Sequence, residues 1–218
     1  MVLRQVWRVA LATGVIGAVA VGLGVPRARF LLGGALISTG LRVQDHLEPY
    51  DFTHADAVER PIDVWNEFVA QNELSSSLRA WFPRTPEHPL VAMLVCMDSR
   101  LDVGELTGDT RGYYYVIRTA GSLLGAAEQE MLELAVANGV RLIVLTRHTD
   151  CAAERAASDD AARARYPELT RGVLEHDLHI KEFLARPVIA AKIDAGELMV
   201  KEVLIDTGTE HLIAGVKP

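Results

Sequence analysis

The stretch Val91–Cys96 reads VAMLVC, a short apolar run typical of β-strands that are buried on both faces. Two similar runs follow it, YYYVIR at Tyr113–Arg118 and RLIVLT at Arg141–Thr146, and a further strand is predicted at Leu198–Ile205. Helical patterns separate these runs. Strands that alternate with helices predict an α/β fold with a mostly parallel central β-sheet flanked by helices.

The predicted helices are amphipathic, with apolar residues at helical spacing. They span Val64–Phe82, Ala126–Asn138, Ala152–Arg165 and Leu169–Leu184. Three prolines between residues 83 and 89 prevent regular structure in the loop before the first strand.

The composition excludes several classes of protein. Half of the 218 residues are apolar and 23% are charged, so a sizeable core can form and general disorder is excluded. The net charge of -7 argues against nucleic acid as a partner, because nucleic-acid-binding proteins normally present a basic face. Two cysteines are too few for a disulfide-stapled secreted scaffold.

The N-terminal segment differs from the rest of the chain. Residues 1–44 hold five arginines and no acidic residue, whereas the remainder holds 17 basic and 29 acidic residues, a net charge of -12. Val9–Val25 is uncharged for 17 residues, at the lower limit for a membrane-spanning helix, and Phe30–Leu41 is a second apolar stretch. We predict that residues 1–55 form an apolar, arginine-bearing extension and that residues 56–218 form a separate main domain.

Three interpretations of this extension are open. It attaches the protein to a membrane or complex through residues 1–44, it forms a buried or partner-packed helix pair, or it is a translated upstream stretch that never folds. A cytoplasmic location is expected, and membrane association and organellar targeting stay open as alternatives. A secretory signal fits less well, because Arg27 and Arg29 lie where a small-residue cleavage site is expected.

A chain that begins near Asp56 is expected to fold and to keep any metal that it binds, because both cysteines, the first candidates for metal ligands, lie beyond residue 90. The measurement is solubility and metal content of the truncated chain beside the full-length protein. A truncated chain that is insoluble, or metal-free without any partner, would place the N-terminal segment in the core instead.

The two cysteines lie where a parallel sheet collects its functional groups, beyond the carboxyl ends of strands. Cys96 ends the first strand, and Cys151 follows the third in the sequence His148-Thr149-Asp150-Cys151. Zn²⁺ binds thiolates and imidazoles, and three protein ligands leave a fourth position open for catalysis. The alternative is that both cysteines only pack as small apolar side chains.

A carboxylate and a guanidinium follow the first cysteine. Cys96, Asp98 and Arg100 alternate along an extended segment and are therefore expected to project to one face. Asp98 has two mutually exclusive roles: it can be the fourth metal ligand in a closed state, or it can pair with the fork of Arg100. An ordinary surface ion pair is the third possibility.

These motifs together resemble the signature of the β-class carbonic anhydrases. The resemblance rests on Cys96-x-Asp98-x-Arg100 and His148-x-x-Cys151, with support from VIRTAG at residues 116–121 and from DTG at residues 206–208. It covers roughly residues 64–210. It implies a zinc lyase that reversibly hydrates CO₂ to bicarbonate through zinc-bound hydroxide and that forms a homodimer or a higher homo-oligomer.

The resemblance also implies roles for individual residues. Cys96, His148 and Cys151 are implied as the zinc ligands, and Asp98 and Arg100 as a catalytic dyad that keeps the metal open to water. Gly121 and Ser122 are implied as substrate contacts. Apart from the resemblance, three histidines of the C-terminal region are candidate proton shuttles, with solvent-exposed or helix-capping histidines as the alternative: His176, His179 and His211.

Two positions depart from the family pattern. Ala152 stands where a glycine is usual, and its methyl group would crowd a turn that needs a positive φ. Thr119 stands where an asparagine is common, beside the expected substrate pocket. Two alternatives therefore stay open: a carbonyl sulfide or carbon disulfide hydrolase on the same scaffold, and a non-catalytic zinc-bearing subunit of a larger assembly.

Overall fold

The computed structural model describes residues 24–44, 60–81, 88–108 and 114–213. The chain divides into two compact units, Met1–Arg84 and Thr85–Pro218. The boundary predicted between residues 55 and 56 lies outside the described residues.

The described part of the first unit is helical. Helix α1 spans Pro26–Gln44 and buries none of its residues, and helix α2 spans Pro61–Trp81, close to the predicted Val64–Phe82. None of the helices in the described ranges is long and apolar enough to cross a membrane. The uncharged run Val9–Val25 lies outside those ranges, apart from its last two residues.

The second unit is built on a five-stranded sheet. Its strands are β1 (Val91–Cys96), β2 (Tyr114–Thr119), β3 (Leu142–His148), β4 (Met199–Ile205) and β5 (Leu212–Ile213). Their order is β2-β1-β3-β4-β5, with all pairs parallel except the antiparallel pair of β4 and β5. The predicted α/β fold with a mostly parallel sheet is thus confirmed, and β5 is an addition that the sequence pattern did not indicate.

Alternate residues of the strands face two separate cores. Leu94 and Ile143 belong to a core with Phe183. Met93 and Val95 face the other side, in a smaller core that contains both cysteines. Cys96 also lies in the smaller core, although strict alternation would place it with Leu94, so the period of two ends at the last residue of β1.

The described residues of the second unit form seven helices. They are α3 (Val103–Thr107), α4 (Ala126–Ala137), α5 (Ala152–Ser158), α6 (Asp160–Arg165), α7 (Pro167–Leu174), α8 (His176–Leu184) and α9 (Pro187–Asp194), and a 3₁₀ turn spans Ala120–Ser122. Short α3 and α9 were not predicted.

Two predicted helices are each broken into a pair. The predicted Ala152–Arg165 divides at Asp159, whose side chain accepts a hydrogen bond from the amide of Ala162 and so caps a new helix. The predicted Leu169–Leu184 divides at Glu175. Apolar periodicity continued through both breaks and therefore concealed them.

Candidate metal centre

Two neighbouring parallel strands end side by side and bring the predicted ligands together. β1 ends at Cys96 and β3 ends at His148, while Cys151 lies just before helix α5. All three side chains are buried, and their ligand atoms lie within 4.8 Å of one another. We call these three residues the ligand cluster.

The imidazole of His148 is oriented by its neighbours. Its Nδ1 lies 3.0 Å from the carbonyl oxygen of Thr149 and 3.0 Å from Oγ1 of Thr207. A carbonyl oxygen only accepts hydrogen bonds, so Nδ1 carries the proton and Nε2 keeps its lone pair. Nε2 is buried and has no hydrogen-bond partner among the described residues. It is therefore free to bind a metal ion.

The two thiols interact with each other and with backbone amides. The thiol of Cys151 lowers the pKa of Cys96, and the amides of Asp98 and Gly121 lower it further. The same contact raises the pKa of Cys151. The amide of Gly121 donates to Sγ of Cys96 over 3.2 Å. One sulfur of the cluster is thus already stabilised as a thiolate by donors around it.

The cluster fits a metal ion with a tetrahedral shell. The donors of such a shell lie about 3.5–3.8 Å apart for zinc, and the three ligand atoms here lie within 4.8 Å of one another. Two sulfurs and one nitrogen suit a borderline-soft cation. Within the described ranges the cluster has three members, which leaves one position of a tetrahedral shell for a further ligand.

Asp98 and Arg100 form the predicted dyad. Nε of Arg100 lies 3.0 Å from Oδ1 of Asp98, and Nη2 lies 2.7 Å from Oδ2, so both carboxylate oxygens are engaged. The hydrogen bond to Arg100 lowers the pKa of Asp98 well below its usual range, with further help from the backbone amide of Arg100. The carboxylate thus pairs with the arginine and stays outside the ligand cluster.

Two residues around the site have roles that the sequence pattern did not indicate. Arg118 lies on β2, and its Nη2 donates to the carbonyl oxygens of Asp98 (2.8 Å) and Leu101 (2.6 Å). It thereby fixes the loop that carries the dyad. Asp150 contacts Arg100 from the other motif, with 3.1 Å between Oδ2 and Nη1. Its only signal in the sequence was its position between two ligands.

The two predicted substrate contacts lie in the 3₁₀ turn next to Cys96. Gly121 has a φ of 66°, and a Cβ there would come within 3.0 Å of Cβ of Ala153, so a side chain would be strained. The hydroxyl of Ser122 is buried and has no hydrogen-bond partner among the described residues. Their role as substrate contacts stays a prediction.

The two departures from the family pattern do not disturb the cluster. Ala152 is the first residue of helix α5 and is not among the residues with a positive φ, so the crowding considered from the sequence does not arise. The positive φ of this segment, 59°, falls on Asp150 instead. The hydroxyl of Thr119 donates to the carbonyl oxygen of Leu123 over 2.9 Å.

The three candidate proton shuttles lie apart from the cluster. His179 lines a cavity of about 450 Å³ together with Thr119 and Arg171. His176 is buried in helix α8, and its Nδ1 has no hydrogen-bond partner among the described residues. His211 is exposed just before β5. A shuttle role for any of them stays a prediction.

Replacing Thr207 with valine is expected to weaken metal binding about 10-fold, as is typical for loss of a group that orients a metal-binding histidine. Its hydroxyl contacts Nδ1 of His148 and donates to the carbonyl oxygen of Thr149. The matched control is Thr146→Val, because Thr146 is a buried threonine of β3 whose hydroxyl donates to Leu94. The measurement is metal transfer to a competing chelator. Equal affinities of the two variants would contradict the orienting role of Thr207.

Comparisons with known proteins show that part of this chain is similar to carbonic anhydrases. Residues 91–181 match the carbonic anhydrase family model. The chain is 33% identical over 105 residues to "Beta-carbonic anhydrase 1" of Mycobacterium tuberculosis, a match that covers 46% of this chain and 63% of the relative. It is 32% identical over 97 residues to a Caenorhabditis briggsae "Beta carbonic anhydrase 1", covering 37% of this chain and 36% of that protein.

The fold is also shared with solved structures. One of two tetrameric β-carbonic anhydrases from Sordaria macrospora superimposes with a TM-score of 0.53 at 20% identity, over 68% of this chain and 94% of that chain. A β-carbonic anhydrase of Aspergillus fumigatus gives a TM-score of 0.53 at 17% identity, over 71% and 92%. The chain spans 63% of the length of the mycobacterial relative.

Proposed function

We propose that this chain is a zinc enzyme that reversibly hydrates CO₂ to bicarbonate, because residues 91–181 match the carbonic anhydrase family model and part of the chain is similar to a β-carbonic anhydrase. The proposal rests on the ligand cluster, in which Nε2 of His148 has no hydrogen-bond partner among the described residues. It rests also on the dyad, in which the carboxylate of Asp98 is paired with Arg100. A three-ligand site with an open position is the arrangement of catalytic zinc, whereas structural zinc has four protein ligands.

Cys96, His148 and Cys151 would hold the ion. Zinc, when bound, supplies a Lewis acid that acidifies a water molecule toward neutral pH. Two thiolates cancel the charge of the metal, so the acidification is expected to be weaker than at a site of three histidines.

The dyad sets what reaches the open position. Arg100 occupies both oxygens of Asp98, so this carboxylate is withheld from the metal, and the same carboxylate can accept a hydrogen bond from a water molecule at the open position. Gly121 fixes one sulfur through its amide. The chain's own residues thus keep one coordination position free and provide an acceptor beside it.

We further propose that the protein is cytoplasmic and forms a homodimer or a higher homo-oligomer, with CO₂ and bicarbonate as its small-molecule partners. The Sordaria relatives are described as tetrameric, which supports self-association. Native mass measured with and without detergent tests this part of the proposal, and a strictly monomeric protein would contradict it.

The experiment for the function combines metal analysis with stopped-flow CO₂ hydration on the same preparation. About one zinc per chain and rapid hydration are expected. Release of sulfide from carbonyl sulfide or carbon disulfide is measured in parallel. Faster turnover of either sulfur compound would show that this compound, and not CO₂, is the substrate. A fully zinc-loaded protein that turns over none of the three compounds would be a non-catalytic subunit.

A further inference from the structure

Asp150 approaches the dyad arginine with both its side chain and its backbone. Nη1 of Arg100 lies 3.1 Å from Oδ2 of Asp150, and Nη2 lies 3.3 Å from its carbonyl oxygen. The residue has a φ of 59°, in the left-handed region that few residues other than glycine, asparagine and aspartate adopt readily.

Arg155 of helix α5 makes two hydrogen bonds to Asp150. Nη1 of Arg155 donates to the carbonyl oxygen of Asp150 over 3.1 Å and also to its Oδ1. Asp98, Arg100, Asp150 and Arg155 thus form a chain of alternating charge that runs from the dyad to α5. Each link joins a donor of an arginine to an acceptor of an aspartate.

The contact between Arg100 and Asp150 ties the side chain of Arg100 to a part of the chain outside its own loop. Arg118 fixes the backbone of the loop that carries the dyad, but the pairing of Asp98 with Arg100 joins two residues of that one loop and does not tie their side chains to the other motif. The contact to Asp150 spans 50 residues and ties that loop to the segment between His148 and Cys151. It therefore holds the guanidinium of Arg100 against the segment that carries two members of the ligand cluster.

We propose that Asp150 is a positioning residue that holds Arg100 in the orientation in which Asp98 stays off the metal. The inference rests on the proposed function, because it assigns a consequence to the open state of the site. The ion pairs of Asp150 are largely exposed, with 60% of its side chain accessible, and such pairs contribute little to stability. The effect is therefore expected at the metal rather than in the unfolding temperature.

The test variant is Asp150→Asn, because asparagine tolerates a positive φ and keeps the shape of the side chain but removes its charge. Its matched control is Glu154→Gln. This change removes the charge of another exposed carboxylate in the same region, which pairs with Arg147 and not with the dyad. Arg100→Ala provides the reference for a site closed by Asp98.

Two measurements separate positioning from a structural role. The first is the visible spectrum of the cobalt-substituted protein, which reports whether a carboxylate or water completes the shell. The second is the ¹H–¹⁵N signal of Nε–H of Arg100, which reports whether this arginine is held. Neither depends on turnover, so both remain decisive if the protein does not hydrate CO₂.

Asp150→Asn is expected to bind a full equivalent of cobalt or zinc, to shift the cobalt spectrum toward that of Arg100→Ala, and to broaden the Nε–H signal. The rate of CO₂ hydration should fall about 5-fold, which corresponds to the strongest of the interactions measured for exposed ion pairs. Glu154→Gln should match the wild type. The double variant Arg100→Ala/Asp150→Asn should give the spectrum of Arg100→Ala alone, because Asp150 acts through Arg100.

A wild-type spectrum with a wild-type Nε–H signal in Asp150→Asn would overturn the proposal. So would loss of metal from this variant, because Asp150 would then act in assembling the cluster rather than on the dyad. If Asp150→Asn does not fold, Asp150→Gly replaces it, since glycine adopts the same φ without strain. The same spectral outcomes decide that variant.

Discussion

Arg100→Ala is expected to lower CO₂ hydration at least about 100-fold while zinc stays bound, an effect of the size seen when an active site loses a key electrostatic group. In the intact protein both oxygens of Asp98 are paired with Arg100. Without the guanidinium, a carboxylate near a divalent cation is free to become its fourth ligand. Closing the shell in this way excludes water from the metal.

Lysine at position 100 should restore little of this activity. An ammonium group keeps the positive charge but cannot make the two parallel hydrogen bonds that the guanidinium makes to Asp98. The measurement is stopped-flow hydration together with zinc content for wild type, Arg100→Ala and Arg100→Lys. Near-wild-type rates in a fully metallated Arg100→Ala would show that the arginine is only a structural ion-pair partner, and the proposed mechanism would then be abandoned.

The pH dependence of the wild type follows from the direction of the pKa shift at Asp98. Arg100 lowers this pKa below the usual value of 3.8, so the pairing is present above that value and is lost only as the pH falls through the lowered pKa. Asp98 is therefore ionised throughout pH 6.5–9. Any rise in hydration across this range is expected to come from the metal-bound water and not from the dyad.

Cys151→Ala is expected to remove zinc and hydration together, with the metal content falling from about one ion per chain to near zero after dialysis. The variant leaves one thiolate and one imidazole, which is too few for a stable zinc site. Cys151 is buried before helix α5, and alanine in its place leaves only a small void. The protein should therefore stay folded.

The control for this variant is wild-type protein that has been stripped of metal with a chelator and reloaded. It should recover its zinc and its hydration rate, whereas Cys151→Ala treated in the same way should recover neither. Full zinc occupancy in Cys151→Ala would show that the assigned ligand set is wrong.

The sequence by itself determined the strands of the sheet and the three members of the ligand cluster. Short apolar runs identified four strands to within two residues at each end, because a strand buried on both faces must be apolar throughout. The spacing of Cys96 and of His148-x-x-Cys151 identified the residues that the structure brings to within 4.8 Å of one another. Residue type and spacing suffice here, since neighbouring parallel strands end at the same edge of the sheet.

The apolar pattern did not predict the two positions where a turn interrupts a segment with helical spacing. The breaks at Asp159 and Glu175 interrupt segments whose apolar residues continue at helical spacing on both sides. The break at Asp159 depends on a side-chain cap, which stabilises a new helix start without changing the apolar pattern.

Only the tertiary structure decided which role Asp98 plays and what holds the dyad. From the sequence, Asp98 is a partner of Arg100, a fourth metal ligand in a closed state, or half of an ordinary surface ion pair, and the structure has both of its oxygens paired with Arg100. The tie between Arg100 and Asp150 joins residues 50 positions apart, with a positive φ at Asp150. No periodicity or motif encodes such a contact, because it exists only once β1 and β3 lie side by side.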